Sequence, residues 1–275
     1  MHVRPRHIIG AVAALGVGIG VIQTLVDHGD VPLPAPDEDA ARAAAELTLA
    51  KIDWKRESIL LWASGTDVHD MRWQLREGFE DSPLAEQTSF VRLEYPATGA
   101  NMDQSVATGT RTLELVMDEI RRRDPDGSRY HVALQGESQG SWLVNDYVAA
   151  RGGLDATQVD GMDMYGLPSM ATYDHDLKSD PRVRITNHRM DPVTWRSLGS
   201  NHDALEAAGL LLGGGDGNPF STAAHLVLNP VHTTVFLGAV GLMKATDNRA
   251  LHPHVYDEEQ RDAARFLLED RATRG

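Results

Sequence analysis

Gly136-Glu137-Ser138-Gln139-Gly140 is the segment whose residue types and spacing point most directly to chemistry. A serine hydroxyl is a weak nucleophile until a base takes its proton and hydrogen-bond donors meet the charge that develops on the substrate. A G-x-S-x-G run answers part of that need when it follows a strand and opens a helix. The sharp turn lifts the hydroxyl clear of the sheet, and the peptide N–H after the serine faces the developing oxyanion. Here the apolar run YHVALQ (130–135) precedes the motif and the helical pattern QGSWLVNDYVAAR follows it. The two glycines leave room where strand and helix meet. The competing reading is an ordinary strand–turn–helix connection.

An activated serine needs a base, and the base needs an orienting carboxylate. In a strand–elbow–helix architecture the order along the chain is serine, acid, histidine. Asp191, in NHRMDPVTW, comes just after the run RVRITNH, where the end of a strand delivers a side chain to the edge of a sheet. It is the candidate acid. Asp163, within VDGMDMYG, is the alternative, and a plain turn aspartate before Pro192 is the competing structural reading. Of the 12 histidines, His202, His225, His232, His252 and His254 follow Asp191. A base in the loop before the last helix favours His254 or His252 of LHPHVYDEEQ, with His254 preferred and His232 the rival. Each of them also reads as a solvent-exposed loop histidine with no role. The His252-x-His254 pair has no third ligand nearby at motif spacing, so neither a metal nor a cofactor is expected.

The elements that must hold these residues alternate. DEDAARAAAELTLAKI reads as a helix with acidic residues at its N-terminus, SILLWAS (58–64) as a buried strand and SFVRLEY (89–95) as the next, stopped by Pro96. MDQSVATGTRTLELVMDEIRRR is a long amphipathic helix with basic residues in its last turn. After YHVALQ and its helix come VDGMDMYG (159–166) and RVRITNH (182–188), and DEEQRDAARFLLEDR closes the chain as a helix. Strands separated by helices predict an α/β fold, a parallel sheet of roughly five strands covered on both faces. At 275 residues the chain can bury one large core without disulfides, and it has no cysteine, so thiol chemistry is excluded. Its formal net charge of -14 repels phosphate backbones, so no nucleic-acid partner is expected.

The N-terminal 26 residues read differently. Ile8 to Val26 is an apolar stretch broken only by Gln23 and Thr24, and as a helix it would reach about 28 Å, close to a bilayer's hydrocarbon thickness. Arg4 and Arg6 precede it and acidic residues follow, which predicts a cytoplasmic N-terminus and an exported domain. With no A-x-A-type site after the run, an uncleaved membrane anchor is expected over a signal peptide, cleavage of which would make the protein secreted. A buried core helix is the competing reading. Residues 27–36 form a Pro-rich spacer, and the folded domain begins near Asp37 and runs to 275.

Several segments resemble the cutinase and PE-PPE serine-esterase families of actinobacteria and their phages. Tyr95-Pro96-Ala97 after a strand, Ser105-Val106 and Gly109 opening a long helix, and then GESQG follow the order of the cutinase-like pattern. Asp191-Pro192-Val193 is similar to the acid motif, and Tyr256 with AARFLLEDR resembles the C-terminal helix. The likeness spans roughly residues 58 to 271. It implies a three-layer α/β-hydrolase whose mostly parallel, roughly five-stranded sheet carries a helical insertion before the catalytic histidine. It also implies hydrolysis of an acyl ester, lipid- or cutin-like, by a Ser138–His254–Asp191 triad. Ala63-Ser64-Gly65-Thr66 looks like the oxyanion segment, with Thr66 at the position of the oxyanion hydroxyl and Gln139 supplying the other N–H. Three features depart from the pattern. The family's disulfides are absent, and the long interval between Asp191 and His254 looks like an inserted lid over 199–250, for which extra core helices are the alternative. Neither His252 nor His254 stands at the family's H-x-x-Y spacing to Tyr256, which keeps the choice of base open. A tethered binding module that has lost its triad, a peptidase and an acyltransferase are the other functions this scaffold serves.

Overall fold

The structure, a computed structural model, describes residues 33–66, 73–98, 101–168, 171, 174–187, 256 and 260–269. Five parallel strands form one sheet in the order β2-β1-β3-β4-β5: β1 Ser58–Ala63, β2 Thr88–Arg92, β3 His131–Glu137, β4 Gly161–Tyr165 and β5 Val183–Thr186. All six residues of β1 are buried, as a central strand covered on both faces requires. Each of the five expected strands is found, its ends displaced by no more than a few residues.

Alternation along the strands sorts the core into two unequal halves. Ile59, Leu61, Val132, Leu134, Met162 and Met164 face the larger half, against Val106, Leu113, Val116, Trp142, Leu143 and Tyr147. Those partners come from α3 (Met102–Arg123) and α4 (Gln139–Ala149), and α1 (Glu38–Leu49) packs outside α3. Asp37 caps α1 by accepting from the Ala40 N–H at 3.0 Å, and Glu38 pairs with Arg111 of α3 at 3.1 Å. The end of the proline-rich stretch joins the same layer, with Leu33 against the core and the Ala35 carbonyl accepting from Gln104 at 2.8 Å.

On the other face Leu60, Trp62 and Ala133 meet Ala263, Leu267 and Leu268 of the C-terminal segment, with Phe79 and Phe90 stacked at 4.6 Å beside them. Phe79 belongs to α2 (Trp73–Glu80), a short helix that the sequence pattern did not announce. The C-terminal helix expected over 257–271 is described at 260–269, where Arg265–Glu269 winds as a π-helix. Helices on both faces of a parallel sheet make a three-layer α/β arrangement. Two short helices, α5 (Leu154–Thr157) and α6 (His175–Ser179), complete the connections.

Strand order reverses between β1 and β3, since the chain runs outward to β2 from one and to β4 and β5 from the other. In open α/β sheets the crevice beyond the carboxyl ends of the strands at such a switch point is where ligands bind. Ser64, Gly65 and Thr66 leave β1 at that edge, and Ser138 leaves β3 there. No helix of the described residues is long and apolar enough to cross a membrane, and Ile8 to Val26 lies outside them.

Candidate active site

Ser138 stands between the last residue of β3 and the first of α4 with φ 52 and ψ -116, a positive φ that side chains other than glycine rarely adopt. Strain of that kind persists only where the surroundings fix it. The Ser138 N–H donates to the Tyr165 carbonyl at 2.7 Å, and the Ser138 carbonyl accepts from Trp142 at 3.1 Å. Ser141, one turn into α4, donates its hydroxyl to the Tyr165 carbonyl at 2.9 Å and accepts the Tyr165 N–H at 3.1 Å. The elbow is therefore fastened to the end of β4. A Cβ on Gly136 would sit 2.6 Å from Ser141 Cα, and one on Gly140 would collide with the Ala63 carbonyl. Both glycines are demanded by the close approach of β3, α4 and β1. Ser138 is partly exposed while Gly136, Glu137, Gln139 and Gly140 are buried, so the serine is the one residue of the motif that the turn presents to solvent.

The residues expected around the oxyanion border this turn. A Cβ on Gly65 would lie 3.4 Å from Ser138 Cβ, which puts the segment after β1 directly beside the nucleophile candidate. Thr66, next in the chain, is partly exposed. The Tyr95 hydroxyl donates to the Ser64 carbonyl, and burial pushes that phenol far above its ordinary value, so it remains a donor at any working pH. Gln139 is the first residue of α4, where N–H groups have no acceptor within the helix and the helix dipole adds positive potential. Its side chain is buried and donates to the Thr98 carbonyl at 3.1 Å, while Ser105 donates to its Oε1 at 3.4 Å. The first peptide of α4 is thereby held from the side of the Tyr95–Thr98 segment.

Asp163, the alternative acid, lies inside the sheet. It is register partner to Gln135 of β3 and Arg184 of β5, three residues short of the level of Ser138. Its carboxylate accepts from Arg184 at 2.8 and 2.6 Å and from the Tyr165 hydroxyl at 2.6 Å. Burial raises this carboxyl above its ordinary value, against the pull of Arg184. Burial weighs against the Arg184 charge too, but the bonds to Asp163 outweigh it and lift the guanidinium above its ordinary value. With three donors on it, this carboxylate is held within the sheet.

Asp191, His254, its alternatives His252 and His232, and the 199–250 segment lie outside the described residues. The described chain reaches Asn187, whose side chain accepts from the Leu167 N–H at 2.9 Å just beyond the end of β5. It resumes at Tyr256, fully buried with its ring 6.0 Å from that of Tyr165. Among the described residues no three His, Asp or Glu side chains gather as they would around a metal ion. A cavity of about 410 Å³ bordered by Trp54, Arg129 and His131 opens at the opposite edge of the sheet, away from Ser138.

A polar layer that no motif announces lies under the elbow. Trp62, Gln135, Asp163 and Arg184 share one row of the sheet, and Glu137 and Tyr165 pair in a row nearer the carboxyl edge. Gln135, Glu137 and Asp163 are all buried, and Gln260 of the C-terminal segment donates to Glu137 at 3.1 Å. Polar residues two apart on strands that are otherwise apolar are the signal that marks such a layer.

No protein-family model matches the chain, and no curated protein matches it. Among solved structures the chain is similar to lysin B from a mycobacteriophage, at TM-score 0.49 and 18% identity over 77% of this chain and 99% of that one. It is also similar to a cutinase-like protein from Cryptococcus sp., at TM-score 0.35 and 18% identity over 50% of this chain and 71% of that one. Trichoderma reesei cutinase in complex with a phosphonate inhibitor matches at TM-score 0.37 and 15% identity, over 73% and 90%.

Proposed function

We propose that this chain is a serine esterase that hydrolyses acyl esters through an acyl-enzyme. Ser138 attacks the ester carbonyl, and His254 takes its proton as Asp191 holds the imidazole. The Thr66 and Gln139 N–H groups stabilise the tetrahedral oxyanion, His254 returns the proton to the leaving alcohol, and water releases the acid by the same steps. The observation that carries the reading is the positive-φ turn of Ser138 at the switch point of the sheet, with Gly65 on one side and the start of α4 on the other. Chain connectivity supports the choice of base. His254 stands two residues before Tyr256 in the sequence, and Tyr256 packs on the tyrosine that holds the Ser138 N–H. Asp191 follows β5 by a few residues in the sequence. The N-terminal apolar segment anchors this domain to a membrane, and the 199–250 segment borders the acyl chain.

The test is turnover of p-nitrophenyl esters of graded acyl length by the full chain and by Ser138→Ala, Asp191→Asn, His254→Ala and His232→Ala. Losses of about a thousand-fold or more are expected in the first three, with His232→Ala near wild type. Full activity in His254→Ala with loss in His232→Ala would move the base. Inactivity of the folded wild-type chain toward every ester would favour a binding module.

A further inference from the structure

Glu137 immediately precedes Ser138 and is 1% exposed, although a buried carboxylate is costly unless its bonds repay the lost hydration. An apolar residue would fill this place at the end of a central strand more cheaply. Three parts of the chain converge on this side chain. Its own strand leads directly into the elbow. Its Cδ lies 3.8 Å from where a Cβ on Gly65 would stand, so it packs under the segment that carries Thr66. Its Oε2 accepts from Gln260 Nε2 at 3.1 Å, across 123 positions of sequence.

Gln260 is itself fully buried and ties back one helical turn, its N–H donating to the Tyr256 carbonyl at 3.0 Å. Tyr256 packs on Tyr165, and Tyr165 holds the Ser138 N–H. The contacts make a closed circuit from nucleophile candidate to Glu137, to Gln260, to Tyr256, to Tyr165 and back. The apolar contacts of the C-terminal segment include Leu267 and Leu268 against Leu60 and Ala133. Those contacts hold the segment on the sheet but have little directionality. A hydrogen bond between two buried side chains fixes its position along the strand.

We propose that Glu137 and Gln260 are a positioning pair. They hold the C-terminal segment and the Ser64–Thr66 segment in fixed relation to the elbow, so that the groups acting on Ser138 and on the oxyanion meet at the right distance. The proposal rests on the esterase reading above. Both residues are buried, so their loss is expected to act on the chemical step and not on substrate binding.

The test compares kcat and KM for a short p-nitrophenyl ester in the full chain with Glu137→Leu, Glu137→Gln, Gln260→Leu and Gln260→Glu, with thermal midpoints and fluorophosphonate labelling alongside. Misplacement of reacting groups by about 1 Å lowers rate on the order of a hundred-fold. Glu137→Leu and Gln260→Leu are therefore expected to lower kcat about 10- to 100-fold with KM within about 2-fold. Glu137→Gln keeps an acceptor for Gln260 and recovers most of the loss, whereas Gln260→Glu sets two carboxyls together and does not. Should Glu137→Leu fail to fold, Gln260→Leu decides. Unchanged kcat in a folded leucine variant, or a loss confined to KM, overturns the positioning role while wild-type labelling leaves the esterase reading intact. Absence of labelling in the wild-type chain overturns both.

Discussion

Ser138 sits in a conformation that takes about 1–3 kcal/mol to hold, and its neighbours show how it is held. Bonds to Tyr165 and Trp142 fix the peptide, and glycines at 136 and 140 let three backbones converge on it. An ordinary glycine in a helix gains up to about 1 kcal/mol on becoming alanine. Gly140→Ala is expected to do the reverse, losing about 2 kcal/mol or more by urea unfolding, because the new methyl meets the Ala63 carbonyl. A variant as stable as the parent would mean that α4 can move away from β1 and that the elbow is not tightly determined. At this scale the sequence was legible where chemistry imposes a spacing. GESQG between a strand and a helix announced the turn and its glycines. Glu137 was illegible, because the x of G-x-S-x-G tolerates any residue and its burial depends on Gln260, far along the chain.

At the scale of elements, the sheet divides its labour by face. One face is apolar and packs against α3 and α4, while the other carries Trp62, Gln135, Asp163 and Arg184 in one register row, in which Asp163 and Arg184 are ion-paired. Arg184 also lies over the Phe266 ring at 4.6 Å, so the row binds the C-terminal segment to β4 and β5. Removing one member of a buried ion pair leaves the other uncompensated, whereas replacing both by apolar residues is far milder. Asp163→Leu is expected to lose about 3 kcal/mol, and Asp163→Leu with Arg184→Leu to recover most of it, read from urea midpoints. Additive losses would show that the two side chains are not coupled. The strands were legible because central parallel strands are short apolar runs bounded by turn residues. Helix α2 was not, since eight residues with few apolar positions carry too little periodicity, and its place is set by tertiary contact with the C-terminal segment. Asp163 read as an alternative acid because sequence shows a carboxylate near a strand end but not its depth within the sheet.

Over the whole molecule the charge is strongly acidic, and many carboxylates are held by arginines at the surface. Arg122 and Arg123 pull Glu119 down to about 2 from an ordinary 4.5, and Arg182 holds Asp180 below its ordinary value. A carboxyl whose folded value lies below its unfolded one contributes stability that is full above the unfolded value and disappears as pH falls through the folded one. Glu119→Gln is therefore expected to make the loss of stability between pH 4.5 and 2 shallower, at a cost of less than about 1 kcal/mol near neutrality. An acid limb identical to the parent's would mean that the two arginines do not hold this carboxylate in solution. The order β2-β1-β3-β4-β5 creates one switch point, and the segments after β1 and β3 meet there. On the proposed reading, the serine at this switch point is an activated nucleophile. Fluorophosphonate labelling of the full chain, with the modified peptide located by mass, tests it most directly. Labelling on Ser138 that disappears in Ser138→Ala is the expected result. A folded chain that takes no label, or a label that survives the substitution, would contradict it.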